Sequence, residues 1–215
     1  MPPAPIQLCF ITDRHGLAPE PLLPCIQLAA EAGVDLIQLR EKDLPTRELA
    51  DLAQAAVRIC RKAGTKIVIN DRMDIALAVA ADGVHLGRQS LPAEVVRGEV
   101  RKDFLIGVSC HSLDEAIEAE SAGADYILLG PIFATPSKLQ YGPPLGLAKL
   151  AEVSRRSAIP VFALGGITAE RAAECIAAGA RGIAGIRIFQ ECTSLAEQVR
   201  KLRAQFPPSA ADLTP

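Results

Sequence analysis

Eight short apolar segments recur along the chain, and they constrain its fold more than any other feature. Each segment is short, and most are rich in Val and Ile, which is typical of strands that are buried on both faces of a sheet. We therefore predict strands at residues 6–12, 36–40, 66–70, 83–87, 104–109, 126–130, 161–166 and 182–189.

Amphipathic helical patterns separate the apolar segments. The clearest is TRELADLAQAAVRICRKAG, in which apolar residues recur at the i, i+3, i+4, i+7 spacing and Gly64 follows where the helix should end. The capping boxes SLDE at 112–115 and SLAE at 194–197 mark two helix starts. Thr168, directly after GGI, is a predicted N-cap of another helix.

Strand and helix patterns alternate eight times, and the gaps are long enough for the crossovers that parallel strands require. This alternation predicts an α/β protein, a single-domain (β/α)8 TIM barrel spanning residues 1–206. A doubly wound open sheet is the alternative, but the turn after the first strand, TDRHGLAPE, lacks the expected GxGxxG pattern. Residues 207–215 are rich in Pro and Ala without periodicity, so we expect a frayed, flexible C-terminal tail.

Composition excludes several classes of function. A net charge of −2 and 4% aromatic residues argue against binding of nucleic acid. No run of 18 apolar residues is present and the N-terminus does not resemble a signal peptide, so we expect no membrane span. The six cysteines form no CxxC pair, which favours reduced structural thiols over disulfides or zinc and suits a cytoplasmic protein.

Polar residues collect at the carboxyl ends of the predicted strands, which form the active face of such a barrel. The positions hold Thr12, Asp13, Arg14, Gln38, Arg40, Glu41, Lys42, Asp43, Asn70, Asp71, Arg72, His85, Ser109, His111, Thr135, Ser137, Lys138, Gly165, Gly166 and Arg187. Among these residues, Glu41 is interpreted as a surface or supporting residue.

Several of these residues also have a purely structural interpretation. Gln38 and Arg40 share one face of a strand, so they form either a polar layer of the core or a ligand site. Asn70-Asp71 could cap the following helix. His85 and His111 lack metal-ligand spacing and are interpreted as structural histidines.

An anion site is predicted where the loops after strands six, seven and eight meet. The glycines of LGGIT precede a Thr-capped helix and let backbone amides approach an anion. Many barrels bind phosphate with the loops after strands seven and eight. The residues expected to contribute here are Thr135, Ser137, Lys138, Gly166 and Arg187.

A second group of charges suggests a pyrophosphate as well. Arg40 and Lys42 supply cations from strand two, and Asp71 is a candidate Mg²⁺ ligand. From the residues alone, we predict a barrel enzyme that acts on phosphorylated small molecules.

At these residues the chain resembles the thiamine-phosphate synthase / thiazole tautomerase superfamily. The resemblance covers nearly the whole chain and is carried by ordered motifs, which are ITDR, LIQLREKD, INDRMDIALAVAADGVHLGRQSLP, IGVSCHSLDEA, AGADYILLGPIF, TPSK, IPVFALGGIT and GIAGI. It implies a transferase of thiamine biosynthesis that joins hydroxymethylpyrimidine pyrophosphate to a thiazole phosphate and releases pyrophosphate.

The resemblance also implies roles for individual residues. The pyrimidine pyrophosphate would contact Gln38, Arg40, Lys42, Asn70, Ser109 and Lys138, with Arg40, Lys42 and Lys138 as catalytic cations. The thiazole phosphate would contact Thr135, Ser137, Gly166 and the amides near Ile186. Asp71 would bind Mg²⁺.

Two positions depart from the synthase pattern. Ser90 stands where the synthases usually have a second Asp ligand of Mg²⁺, and Ile186-Arg187 replaces a hydrophobic-Ser pair. Alternatives are a thiazole tautomerase and a non-catalytic thiamine-phosphate-binding protein. The tautomerase has a catalytic His after the strand-six glycine, whereas this chain has Pro131. The sequence does not set the oligomeric state, and a homo-oligomer is one alternative.

Overall fold

The structure, a computed structural model, describes residues 7–17, 21–135 and 143–206, and these form a closed barrel of eight parallel strands. Each strand pairs with the next, and the eighth returns to pair with the first. The predicted (β/α)8 barrel is thus confirmed, and the open-sheet alternative is wrong. The strands are β1 (Leu8–Ile11), β2 (Leu36–Leu39), β3 (Lys66–Asn70), β4 (Gly83–Leu86), β5 (Leu105–Cys110), β6 (Tyr126–Leu129), β7 (Val161–Leu164) and β8 (Gly182–Gly185).

Helices surround the barrel, and three of them begin at the predicted caps. The side chains of Ser112, Thr168 and Ser194 each accept a hydrogen bond from the backbone N–H three residues later. In the first capping box, however, the Glu115 carboxylate accepts from the backbone N–H of His111. The helices are α1 (Leu22–Glu31), α2 (Thr46–Ala63), α3 (Met73–Ala78), α4 (Ala93–Glu99), α5 (Leu113–Ser121), α6 (Gly146–Arg156), α7 (Ala169–Ala177), α8 (Arg187–Gln190) and α9 (Leu195–Arg203).

The last predicted strand, at residues 182–189, is longer than the observed one. β8 ends at Gly185, and Arg187 begins the short helix α8, so the placement of Arg187 at the end of a strand was wrong. The helical turn brings the buried ring of Phe189 to 5.7 Å from the ring of Phe10, measured between centroids. An apolar run does not distinguish this turn from a continuing strand.

Aromatic side chains fill the inside of the barrel. The rings of Tyr126 and Phe162 lie 5.6 Å apart, and His85 lies 5.8 Å from Tyr126. Glycines make room for them, because a Cβ atom at Gly107 would lie 2.1 Å from Tyr126 Cζ and one at Gly182 would lie 2.2 Å from Phe162 Cε1. The barrel interior is therefore packed here, which agrees with a ligand site at the carboxyl ends of the strands, as is usual in such barrels.

Aspartates that precede the strands organise the opposite end of the barrel. Asp35 Oδ2 accepts hydrogen bonds from the backbone N–H groups of Gln7 and Leu8, at 3.0 and 2.9 Å. Asp82 and Asp125 accept in the same way from the preceding strands, at 2.9 and 2.7 Å. These carboxylates therefore link neighbouring strands at the amino-terminal end of the barrel.

All six cysteines are free thiols, and four of them are buried. Burial raises the pKa of Cys60, Cys110 and Cys175 to about 12, so these thiols stay protonated at neutral pH. Among the described residues, no helix has both the length and the apolar character needed to cross a membrane. The predicted tail at 207–215 and residues 1–6 of the predicted domain lie outside the described residues.

Candidate active site

Two amide side chains enter the top of the barrel from β2 and β3. Gln38 is 2% exposed, and its Nε2 donates a hydrogen bond to Asn70 Oδ1 at 3.0 Å. Its Oε1 is buried and has no hydrogen-bond partner within residues 7–17, 21–135 and 143–206. If Gln38 only formed a polar layer of the core, a neighbouring group would donate a hydrogen bond to this oxygen, because a buried acceptor without a donor is costly. The geometry instead suits a ligand that brings its own donor.

Asp71 follows Asn70 and turns its carboxylate towards the loop after β4. Its φ of 60° lies in the left-handed region, which non-glycine residues adopt rarely and often at functional sites. Asn70 Nδ2 donates to Asp71 Oδ2 at 2.7 Å, and the Ser90 hydroxyl donates to Oδ1. The N-cap of α3 is Arg72, whose side chain makes no capping hydrogen bond to the described part of the chain, so the proposed capping role of Asn70-Asp71 is wrong.

The oxygens around Asp71 fit Mg²⁺ only in part. The described residues contain no group of three or more His, Cys, Asp or Glu side chains that could hold a metal. One carboxylate and the adjoining hydroxyl of Ser90 fall short of the six oxygens that Mg²⁺ prefers. They fit an ion that keeps waters and arrives with a phosphate ligand, which is the usual way proteins bind Mg²⁺.

The cations of the QLREK segment lie beside this group. Lys42 Nζ is 3.9 Å from Asp71 Oδ2, and Arg40 is partly buried. The positive charges of Arg40 and Lys42 both act to lower the pKa of His85, which lies inside the barrel. Among the described residues, Asp71 is the only carboxylate that contacts the Lys42 ammonium group.

His85 is buried and held between two hydroxyl groups. Its Nδ1 lies 3.3 Å from the Tyr126 hydroxyl, and its Nε2 lies 2.8 Å from Ser109 Oγ. Burial, helped by the charges of Arg40 and Lys42, lowers the pKa of His85 to about 3, so the imidazole is neutral at neutral pH. The prediction of a structural histidine fits these contacts, and the residue that it supports is Ser109.

The loops after β6 and β7 pack directly on each other. Phe133 N donates to Gly165 O at 3.0 Å, and a Cβ atom at Gly166 would lie 2.6 Å from Ala134 O. The φ of Gly166 is +65°, so the position favours glycine on two grounds. Arg171 holds both loops, since its Nη1 donates to Gly166 O at 2.8 Å and its guanidinium lies 4.7 Å from the Phe133 ring centroid.

Arg187 connects the loop after β8 to the same region. Its Nη2 donates a hydrogen bond to Thr135 Oγ1 at 3.3 Å. Thr135, Gly166 and Arg187, which the sequence predicts to lie together, belong to three neighbouring loops at the carboxyl end of the barrel. Ser137 and Lys138 lie outside the described residues.

Comparison with known proteins assigns the family. The family model described as thiamine monophosphate synthase matches residues 8–189. The chain belongs to the thiamine monophosphate synthase family. The sequence-based resemblance to this family is thereby confirmed.

Relatives in the thiamine monophosphate synthase family match most of the chain. Thiamine-phosphate synthase of Moorella thermoacetica is 44% identical and covers 90% of this chain and 91% of its own length. Thiamine-phosphate synthase of a Roseiflexus species is 44% identical over 82% of this chain and 75% of its own. The solved structure of thiamine phosphate pyrophosphorylase from Pyrococcus furiosus is 36% identical, with a TM-score of 0.83, and the match covers 93% of this chain and 95% of that one.

Both departures from the synthase pattern of the thiamine monophosphate synthase family make specific contacts. Ser90 donates to Asp71 and accepts from the backbone N–H of Gly87 at 2.6 Å, so its hydroxyl lies within the Asp71 network, at the position where the resemblance implies a second carboxylate. Arg187 reaches Thr135 through a side chain far longer than the usual serine.

Sequence reasoning missed two features of the site. The interpretation of Glu41 as a surface residue is wrong, because the residue is 3% exposed and accepts a hydrogen bond from Thr12, directly after β1. The alternative of a supporting residue agrees with this contact. The apolar pattern predicts Tyr126 only as a strand residue, but its hydroxyl lies 3.3 Å from His85 Nδ1. The signal in the sequence for Glu41 is its position between the two cations Arg40 and Lys42.

Proposed function

We propose that the protein is a thiamine-phosphate synthase, which joins hydroxymethylpyrimidine pyrophosphate to a thiazole phosphate and releases pyrophosphate. The observation that carries the proposal is the buried Gln38 Oε1, which has no hydrogen-bond partner among the described residues and precedes the cations Arg40 and Lys42 in the same segment. An aminopyrimidine with an anionic leaving group complements this combination. The names of the relatives from Moorella and Roseiflexus agree with it.

The pyrimidine pyrophosphate would use the β2, β3 and β5 side of the barrel. Gln38 Oε1 would accept a hydrogen bond from the amino group of the pyrimidine, which removes the cost of its unpaired state. Ser109, held by His85, would contact the ring, and Asn70 would contact the pyrophosphate. Arg40, Lys42 and Lys138 would supply positive charge to that pyrophosphate.

The thiazole phosphate would use the loops after β6, β7 and β8. Gly166 leaves room for an anion to approach the backbone, and the amides near Ile186 would donate to it. Thr135 and Ser137 would add hydroxyl donors. Arg187 would contribute a guanidinium, whose planar fork suits a phosphate.

The reaction requires stabilisation of a leaving group more than a strong base. The bond between the pyrimidine methylene carbon and the pyrophosphate oxygen breaks, and the electron pair leaves with pyrophosphate. The thiazole nitrogen then donates its lone pair to the methylene carbon and forms the new C–N bond. Preorganised cations placed where negative charge develops lower the barrier, and Arg40, Lys42 and Lys138 would serve in that way.

We also propose Mg²⁺ as a cofactor that Asp71 holds together with substrate oxygens. Such an ion neutralises charge on the pyrophosphate. Asn70, through its bond to Asp71 Oδ2, would orient the carboxylate. The cytoplasm is the proposed location, because all six cysteines are free thiols. A homo-oligomer stays a prediction that light scattering of the purified protein can test.

One assay tests the function directly. Purified protein, both substrates and Mg²⁺ should yield thiamine phosphate and pyrophosphate in equal amounts. Isomerisation of the thiazole phosphate alone would instead support a tautomerase. Tight binding of thiamine phosphate without turnover would support a binding protein.

Lys138 provides a test of the charge-stabilising role. Lys138→Ala should lower turnover by roughly 10²-fold, the loss typical of one preorganised charge-stabilising group. Binding of thiazole phosphate should change much less. Unchanged turnover would contradict the role of Lys138.

A further inference from the structure

Glu41 is a buried carboxylate between two cations of the proposed site. Its side chain is 2% exposed, although its neighbour Lys42 is 57% exposed. Glu41 Oε1 accepts a hydrogen bond from the Thr12 hydroxyl at 2.6 Å, and Oε2 accepts from Arg14 Nη1 at 3.1 Å. The backbone N–H of Arg14 lies 3.3 Å from the same Oε2 atom. Both carboxylate oxygens are therefore engaged by the segment that follows β1.

This network extends to the backbone of Arg40. The Thr12 hydroxyl donates to Glu41 and accepts from the Arg40 backbone N–H at 2.9 Å. Glu41 contacts the segment after β1, while the next side chain, Lys42, reaches Asp71 after β3. The chain turns at Lys42 and Asp43, so the two neighbouring side chains reach different parts of the site. A contact made by Glu41 thus fixes the segment from which both cations project.

A purely structural anchor would not require a charge at this position. Taking a carboxylate out of water is costly unless it is paired and hydrogen-bonded, and an apolar side chain often holds such a position at less cost. A negative charge next to a pyrophosphate site also opposes anion binding by electrostatics. Glu41 is therefore unfavourable on both counts unless its geometry serves the site.

We infer that Glu41 is a positioning residue that holds the Arg40–Lys42 segment, through Thr12 and Arg14, in the geometry that receives the leaving pyrophosphate. The inference rests on the proposed function and assigns to the site a residue that contacts no substrate. Small displacements of charge-stabilising groups reduce rates strongly, because the reacting geometry must be set before the reaction.

Binding of inorganic pyrophosphate, measured by calorimetry in buffer with MgCl₂, separates positioning from electrostatics. Glu41→Gln removes a negative charge, so an electrostatic effect alone would tighten pyrophosphate binding. The positioning role predicts the opposite sign, with the dissociation constant rising by about tenfold. In the synthase assay kcat should fall by roughly 10²-fold. Unchanged or tighter pyrophosphate binding by a folded Glu41→Gln protein would overturn the inference.

Two further variants guard against a folding defect. Thr12→Val leaves the pair between Glu41 and Arg14 but removes the hydroxyl that joins Glu41 to the Arg40 backbone, and it should weaken pyrophosphate binding in the same direction. Asp43→Asn is the matched control, because Asp43 also binds Arg14 but is 54% exposed. Its pyrophosphate dissociation constant should stay within about twofold of the original value. Equal losses in Asp43→Asn would overturn the inference.

A double-mutant cycle tests whether Glu41 acts through Arg40. If it does, Glu41→Gln should add little to the loss already caused by Arg40→Ala, whereas fully additive losses would contradict that path. The two proposals fail separately. Protein that binds pyrophosphate but makes no thiamine phosphate refutes the synthase function, and the binding series still decides the role of Glu41. Unaltered protein that does not bind pyrophosphate overturns the positioning role.

Discussion

The hydroxyl of Ser90 determines how much of a metal site this chain can form by itself. It donates to Asp71 Oδ1 and leaves a single carboxylate in that network. Ser90→Asp would add a second carboxylate at the same place, and affinity for a divalent cation rises with the number of charged ligands. We therefore expect the Mg²⁺ concentration for half-maximal synthase activity to fall by about tenfold.

A second readout makes the Ser90 prediction independent of turnover. In EDTA, two close carboxylates repel each other, so Ser90→Asp should lower the thermal unfolding midpoint, and Mg²⁺ should restore it. Ser90→Ala, which removes the hydrogen bond without adding charge, should not gain a Mg²⁺-dependent midpoint. An unchanged Mg²⁺ response in Ser90→Asp would show that residue 90 does not adjoin a metal position.

His85 predicts how stability responds to acid. Its pKa of about 3 lies below the roughly 6.5 of an unfolded histidine, so between these values the unfolded chain binds a proton that the folded protein excludes. Stability contributed by neutral His85 is present above about pH 6.5 and is lost as the pH falls towards 3. At pH 5 the loss should be about 2 kcal/mol.

Denaturant unfolding at pH 7 and pH 5 measures this loss. His85→Gln should lessen the difference between the two unfolding free energies by about 2 kcal/mol. An equal pH dependence in His85→Gln would contradict the burial of a neutral imidazole.

At the scale of elements, the short helix α8 determines where the side chain of Arg187 lies after β8. Because the chain turns at Ile186, the Arg187 side chain crosses to Thr135 on the loop after β6. Arg187→Ser restores the residue type that is usual in synthases and removes a guanidinium near the proposed phosphate. Binding of thiazole phosphate should weaken by about tenfold, as expected for loss of a charge-assisted hydrogen bond.

The control for Arg187 lies at the other end of β8. Arg181→Ser removes the same charge from an exposed residue that immediately precedes the strand. It should leave thiazole phosphate binding and the Mg²⁺ requirement unchanged. Calorimetric titration of thiazole phosphate compares the two variants, and equal affinities would contradict a local role of Arg187 at the anion.

At the scale of the whole molecule, the barrel could be predicted because each strand is buried on both faces and leaves a continuous apolar run. Positions at the carboxyl ends of those runs could be predicted for the same reason. The contact between His85 and Tyr126 could not be predicted, because these residues lie 41 positions apart and meet only through the strand register. The burial of Glu41 likewise depends on Thr12, which is 29 positions away.

The closure of the barrel at its amino-terminal end also depends on distant residues. Arg203 of α9 pairs with Asp35 Oδ1 at 2.6 Å, while Asp35 Oδ2 accepts from the backbone N–H groups of Gln7 and Leu8 at the start of β1. One carboxylate therefore joins the start of the barrel to its last helix. Asp35→Ala would leave the guanidinium and two backbone N–H groups without this acceptor, so the unfolding free energy should fall by about 2–3 kcal/mol.

Denaturant unfolding and steady-state kinetics together test this separation of stability from function. Asp35 lies at the end of the barrel opposite the proposed site, so kcat and KM of folded Asp35→Ala should match those of the unaltered protein. Asp103→Ala removes an exposed carboxylate from a pair with Arg101 and should change stability by less than about 1 kcal/mol. If Asp35→Ala lost activity at temperatures where it stays folded, the two ends of the barrel would be coupled, and stability and catalysis would not be divided between them as the structure indicates.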